Sequence, residues 1–215
     1  MRPVFLSFDE LQGYPMKLLP RITRKIAITT LALCSLTGAY ANNFSYNYAQ
    51  AGYSFINDFD VDQGIKISGS YDVTYNINVL GSYFISTSSD SKQADDVDLD
   101  VYTLGVGYHA DISDATDVLA EIGLFNTNAD VKVGSLTVNT DNSGYTLSAG
   151  VRHKLQDNIE VQARFDHRNS DDITDNSLTF GSRYYFKPNW SAGIDFSTGA
   201  DDGAESITGN LRWQF

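Results

Sequence analysis

From Phe44 onward, apolar and polar positions alternate in short blocks, and Asp/Asn-rich breaks separate the blocks. A period of two marks a strand with one apolar and one polar face. The clearest block is the last nine residues. Ile207, Gly209, Leu211, Trp213 and Phe215 share one side, and Thr208, Asn210, Arg212 and Gln214 the other. Over residues 159–170, Ile159, Val161, Ala163 and Phe165 oppose Glu160, Gln162, Arg164, Asp166 and Arg168. Over 143–155, Tyr145, Leu147, Ala149 and Val151 oppose Thr146, Ser148, Gly150, Arg152 and Lys154. Over 64–75, Ile65, Ile67, Tyr71 and Val73 oppose Lys66, Ser68, Ser70 and Asp72. The pattern predicts ten strands, at 44–56, 64–75, 77–88, 99–112, 117–129, 143–155, 159–170, 176–186, 190–198 and 206–215. Each is about the 9–11 residues that a tilted membrane-spanning strand needs.

The connections are of two kinds. Four are tight: around Asn76, at Ser113 to Thr116, at Gln156 to Asn158 and at Lys187 to Asn189. Five are longer and acidic: Asn57 to Gln63, Ser89 to Asp98, Asp130 to Asn142, Asp171 to Asp175 and Gly199 to Glu205. Strict alternation of the two kinds predicts an all-β fold, a closed antiparallel up-and-down transmembrane barrel with short periplasmic turns and longer outer loops. Ten strands is the reading. Eight follow if two segments are loop excursions.

Parity defines two faces, and their chemistry says which meets lipid. A soluble, lipocalin-like barrel would show its polar face to water, yet here that face is largely Gly, Ser and Thr. Small polar residues with a few charges of both signs suit a narrow lumen. Apolar faces with aromatics near the strand ends suit lipid and its interfacial girdles. Tyr46, Tyr48, Tyr75, Tyr108, Tyr184, Phe186, Trp190, Trp213 and Phe215 are placed near the periplasmic ends, and Tyr53, Phe55 and Tyr83 nearer the outer rim.

The amino-terminal stretch reads as a secretory signal over residues 16–41. Lys17, Arg21, Arg24 and Lys25 precede the short apolar run from Ile26 to Leu36, and Ala39-Tyr40-Ala41 supplies the small residues of a cleavage site. The expected mature barrel domain is 42–215. Asp9 and Glu10 do not suit a signal, so residues 1–15 read as a mis-assigned start. The single cysteine, Cys34, falls in the signal, which leaves no disulfide framework to read. The chain carries 15 basic and 27 acidic residues. Five of those bases and two acids precede Asn42, so the mature chain keeps 10 bases and 25 acids and a net charge of −15. Phosphate would repel such a chain, which argues against nucleic acid as a partner.

Signal, meander and terminal aromatic strand together resemble the small OmpA/OmpX-type Gram-negative outer-membrane barrels, across the whole mature chain. SYNYAQAGYSF and the Val-Gly-Tyr segment followed by a Ser-Asp turn resemble a ten-stranded subgroup of these proteins in proteobacteria. The resemblance implies the outer membrane as location, lipid and lipopolysaccharide as surroundings, and a monomer. It also implies that Ile207, Leu211, Trp213 and Phe215 form the closing-strand signal read by the barrel-assembly machinery. The separate peptidoglycan-binding domain of the OmpA family has no counterpart here.

Parity sends Lys66, Arg152, Lys154, Arg164, Arg168, Arg183 and Arg212 into the lumen with Asp72, Glu121, Glu160, Asp166 and Asp195. Buried charges must be paired or stay wet. They either lock the barrel as a salt-bridged plug or line a narrow hydrated pore. Ten strands leave little room once side chains fill the lumen. Glu160 and Arg164 lie about 13 Å apart along one strand. Their partners are therefore expected on neighbouring strands, from Arg152, Lys154 and Arg183. The outer loops are acidic. Asp58, Asp60, Asp62, Asp95, Asp96 and Asp98 are candidate ligands for a divalent cation at the rim, the alternative being a solvated, self-repelling edge. Asp58-Phe59-Asp60-Val61-Asp62 imitates the start of an EF-hand. However, Gln63 stands where that loop needs Gly, and Gly69 where it needs Glu, so no metal site is assigned. No cofactor is implied. For catalysis, His109 and His153 fall toward the periplasmic ends, and only His167 lies near the rim, beside Asp166, Ser170 and Asp171. The reading is a non-enzymatic outer-membrane barrel with a structural or surface-interaction role. A narrow porin is second, and a lipid-modifying enzyme or protease third.

Overall fold

The computed structural model describes residues 44–57, 63–89, 95–133, 136–171, 174–199 and 205–215. The segments read above as a mis-assigned start and a signal lie outside these residues, as do Asp58, Asp60 and Asp62. Ten strands form: β1 (Tyr48–Asn57), β2 (Gln63–Asp72), β3 (Ile77–Ser89), β4 (Asp95–Ser113), β5 (Thr116–Val133), β6 (Leu136–Gln156), β7 (Ile159–Ser170), β8 (Thr174–Lys187), β9 (Trp190–Gly199) and β10 (Glu205–Gln214). Each pairs antiparallel with its sequence neighbours, and β1 pairs with β10 from Tyr48↔Gln214 to Asn57↔Glu205. The sheet closes on itself and leaves no open edge along that seam. Ten strands, not eight, make the barrel.

The alternation is realised inside out. Phe44 and Tyr46 are the only buried hydrophobic side chains among the described residues. Leu104, Leu124, Ile122 and Ile194 stand 72%, 71%, 58% and 57% exposed on the outer face. The buried set is otherwise polar, including Ser70, Ser148, Ser191, Arg152, Glu160 and Arg183. Such a surface is incompatible with water over so large an area and fits hydrocarbon. Outward aromatics gather in two bands. Trp190, Trp213 and Phe215 form a chain of rings at the turn end, with centroids 6.5 and 5.1 Å apart. Tyr83 stacks on Tyr102 toward the other end, with centroids 4.7 Å apart.

Three departures from the sequence reading bear on the site. First, the two-residue turns at 114–115, 157–158 and 188–189 are each preceded by a register shift, at Asp111/Ser113, Lys154/Gln156 and Tyr185/Lys187. Bulges at a barrel rim tighten the local twist and let the chain reverse there. Second, Asp130 to Asn142 is not a long loop. β5 and β6 run on as a ladder from Asn126↔Ser143 to Val133↔Leu136. Its acids are held by amides: Asn139 Nδ2 donates to Asp130 at 2.6 Å and Asn126 Nδ2 to Asp141 at 2.7 Å. Third, β1 begins at Tyr48 rather than Phe44, and the chain before Asn47 leaves the wall.

Candidate functional site: the barrel lumen

Residues 44–47 turn into the lumen at the turn end. Asn47 anchors the entry: its Oδ1 accepts from Asp72 N at 2.7 Å and its carbonyl from Phe215 N at 3.2 Å. Phe44 and Tyr46 then lie inside, 8% and 4% exposed. The Arg152 guanidinium is 4.5 Å from the Phe44 ring centre and 4.8 Å from that of Tyr46. Lys154 Nζ is 5.0 Å from the Phe44 ring. Tyr46 stacks on His109 at 3.6 Å, and its hydroxyl donates to Asp117 at 3.2 Å. Burial raises the Tyr46 pKa well above the ordinary tyrosine value, so that hydroxyl keeps its proton. His109 Nε2 in turn lies 3.1 Å from Asp72 Oδ1.

This corrects the assignment of Tyr46 and Tyr48 to the lipid girdle. Arg212 lies 3.9 Å over the Tyr48 ring, inside the barrel. The signal was in the numbering. Tyr46 and Tyr48 have even parity, whereas the outward Tyr53 and Phe55 have odd parity, and one regular strand cannot turn both pairs to lipid.

Above the aromatics sits a dry charge cluster. Glu160, 1% exposed, accepts from Arg152 Nε at 2.8 Å and Nη2 at 3.0 Å, and from the Tyr185 hydroxyl at 2.6 Å. The cross-strand pairing expected for Glu160 is present with Arg152. Arg183, opposite Glu160 in register, instead donates to Ser191 Oγ at 3.3 Å and Gln50 Oε1 at 3.1 Å. Arg212 Nε donates to that same Gln50 oxygen at 2.8 Å. Arg183 reaches from β8 to β1 across Gly193, where an added Cβ would come 3.4 Å from its Cζ and 2.8 Å from Asn210 Oδ1. Asp117, Tyr185 and Gln50 belong to this cluster and were missed by sequence reasoning, which followed charges and skipped neutral hydroxyl and amide partners.

Higher up the network is wetter. Arg164 pairs with Glu121 at 3.1 Å and with Asp166 on its own strand at 2.7 Å, but its side chain is 40% exposed. Asp166 also accepts from Ser148 at 2.5 Å. Asp195 accepts from Gln162 at 2.8 Å and Asn210 at 2.7 Å, and the Gln162–Asp195 bond crosses Gly181, where a Cβ would lie 2.1 Å from the carboxylate. Arg168 lies 5.9 Å from the Phe125 ring and opposite Asp175 in register. Lys66 makes no hydrogen bond or ion pair within 4 Å among the described residues. These side chains surround a lumen cavity of about 420 Å³, which runs from Tyr46 and Arg212 at the turn end to Ile56 and Ser206 near the other.

At the rim, Asp95, Asp96 and Asp98 open β4, opposite Val133, Lys132 and Asp130 of β5. No group of three or more His, Cys, Asp or Glu side chains positioned to hold a metal occurs among the described residues. His167 bonds Asn176 at 2.8 Å beside Tyr145 on the outer face, while Asp166 points inward. His153 bonds Thr116 at 2.8 Å. Ile207, Leu211, Trp213 and Phe215 all face outward, 44–53% exposed.

Solved structures align with this chain at low identity. A NanC porin aligns at 7% identity over 78% of this chain and 100% of its own, with a TM-score of 0.51. Ail, the attachment invasion locus protein of Yersinia pestis, aligns at 13% over 80% and 100%, with a TM-score of 0.47. The KdgM porin aligns at 10% over 78% and 99%, with a TM-score of 0.45. Identities this low speak to fold alone. No curated protein matches the sequence. Residues 26–186 match the family described as outer membrane protein beta-barrel domain. With a closed ten-stranded barrel, a polar lumen and an apolar belt, the chain belongs to that outer-membrane β-barrel family and resides in the outer membrane.

Proposed function

We propose that the protein is a closed barrel with a structural or surface-interaction role rather than a channel. The observation that carries this reading is the filling of the turn end by Phe44, Tyr46 and the Arg152–Glu160 pair. These groups are held by side-chain contacts from β4, β5, β6 and β8, so the closure braces much of the wall. The turn end is the periplasmic one, cleavage after Ala41 releases the segment that enters the lumen, and the acidic outer strands face the lipopolysaccharide. The barrel acts as a monomer. A narrow porin is the second reading, favoured by the polar cavity above the closure.

Planar-bilayer conductance separates the two. Wild type is expected to show no steady current, and the Phe44→Ser/Tyr46→Ser variant to open discrete channels. Steady wild-type channels that this variant leaves unchanged would establish the porin.

We also propose that the outer face of β10 directs assembly. Phe215→Ala is expected to lower the amount of folded protein in the outer membrane several-fold relative to wild type, measured by heat-modifiable gel mobility. Unchanged accumulation would remove this role.

A further inference from the structure

We propose that the lumen cavity is a binding vestibule for a small polyhydroxylated anion, held between Lys66 and Arg212. The proposal goes beyond the closed-barrel reading and stands on the cavity and its charges. At about 420 Å³ the cavity is in the size range of small-molecule sites. At and behind its floor, three guanidinium groups, Arg152, Arg183 and Arg212, are 3%, 3% and 6% exposed, and of these Arg152 and Arg212 line the cavity. Two carboxylates belong there: Glu160 has its oxygens taken by Arg152 and Tyr185, and Asp117 accepts from Tyr46. Arg183 and Arg212 are left to share the neutral Gln50 oxygen, and Arg183 Nε has no protein acceptor. The three guanidinium groups therefore outnumber the two carboxylates of the floor, and buried charge without an opposite partner is costly.

Lys66 adds to it from the wall. It lines the same cavity and is exposed into it. In register it faces Gly52, two residues along from the Ser68–Gln50–Arg212 row, so β1 alone separates it from Arg212. Three acids of the cavity are engaged: Glu121 and Asp166 hold Arg164, and Asp195 takes two amides. Asp175 stands opposite Arg168 in register. Lys66 thus has donor capacity to spare in the cavity, which selects a negative group. Hydroxyls line the cavity wall too, at Ser54, Ser68 and Thr208. Hydroxyls donate and accept, which suits a ligand that carries hydroxyls of its own.

The test uses the refolded full chain in detergent, titrated by calorimetry at fixed ionic strength with gluconate, sorbitol and inorganic phosphate. Gluconate is expected to bind about ten-fold or more tighter than sorbitol, as one charge-assisted contact implies. Lys66→Met, which removes no hydrogen bond of the fold, is expected to weaken gluconate by a similar factor while circular dichroism stays that of wild type. Lys66→Arg, which keeps the charge, is expected to retain binding. Phosphate binding as tight as gluconate would overturn the polyhydroxylated part. Equal affinities for gluconate and sorbitol, no binding of gluconate, or an indifferent Lys66→Met would overturn the site itself. Conductance tests closure separately, so each idea can fail alone.

Discussion

Arg152→Ala is expected to cost about 3–5 kcal/mol of folding stability, because it strands a buried carboxylate. Arg164→Ala is expected to cost about 1 kcal/mol or less. Both arginines sit in the lumen and both pair with acids, so charge counting would rank them alike. Exposure separates them. The Arg152 and Glu160 side chains are 4% and 1% exposed, and no water can take over when one is removed. Arg164 is 40% exposed beside a cavity, and its acids can be hydrated in its place. Arg152 also carries the cation–π contacts that hold Phe44 and Tyr46, so its loss should loosen the closure too. Urea titration of the refolded barrel in lipid vesicles, followed by tryptophan fluorescence, would read both losses. Glu160→Gln combined with Arg152→Met should recover much of the stability, since the stranded charge is then absent. Equal losses for Arg152→Ala and Arg164→Ala would mean that the floor is as wet as the cavity above it.

Ile194→Arg should cost about 2–4 kcal/mol if its side chain sits near the middle of the bilayer. Ile194 is 57% exposed on the outer face, midway along β9 and four residues from the girdle residue Trp190. The matched change is Ser82→Arg, in the cavity wall between Ser68 and Thr103. That arginine meets hydroxyls and no hydrocarbon, so it escapes the lipid penalty. The same titration would compare them. A Ser82→Arg loss as large as that of Ile194→Arg would mean that the inner and outer faces are misassigned.

The strands and their faces were readable residue by residue because alternation is local. Lipid on one side and a polar lumen on the other impose the same rule on every strand, so parity alone sent all twelve predicted charges inward. β7 matches its predicted span, Ile159–Ser170, at both ends. The rule weakens wherever lipid stops. Beyond the bilayer a strand is free to be polar on both faces, so Asp130 to Asn142 read as loop and is in fact ladder, with amides holding its acids.

Pairing within the lumen was not legible in the same way. Glu160 had Arg152, Lys154 and Arg183 within reach by strand order, and the choice of Arg152 depends on register and on how far each side chain crosses the interior. Arg164 found Glu121 on β5, two strands away, a contact set by closure of the sheet rather than by spacing. The closure of the turn end went unseen for a related reason. Phe44 and Tyr46 continue an alternating pattern, so locally they look like strand. A closed barrel leaves an apolar-poor cavity at its mouth, and two aromatic rings flanking Arg152 fill it better than they would extend the wall.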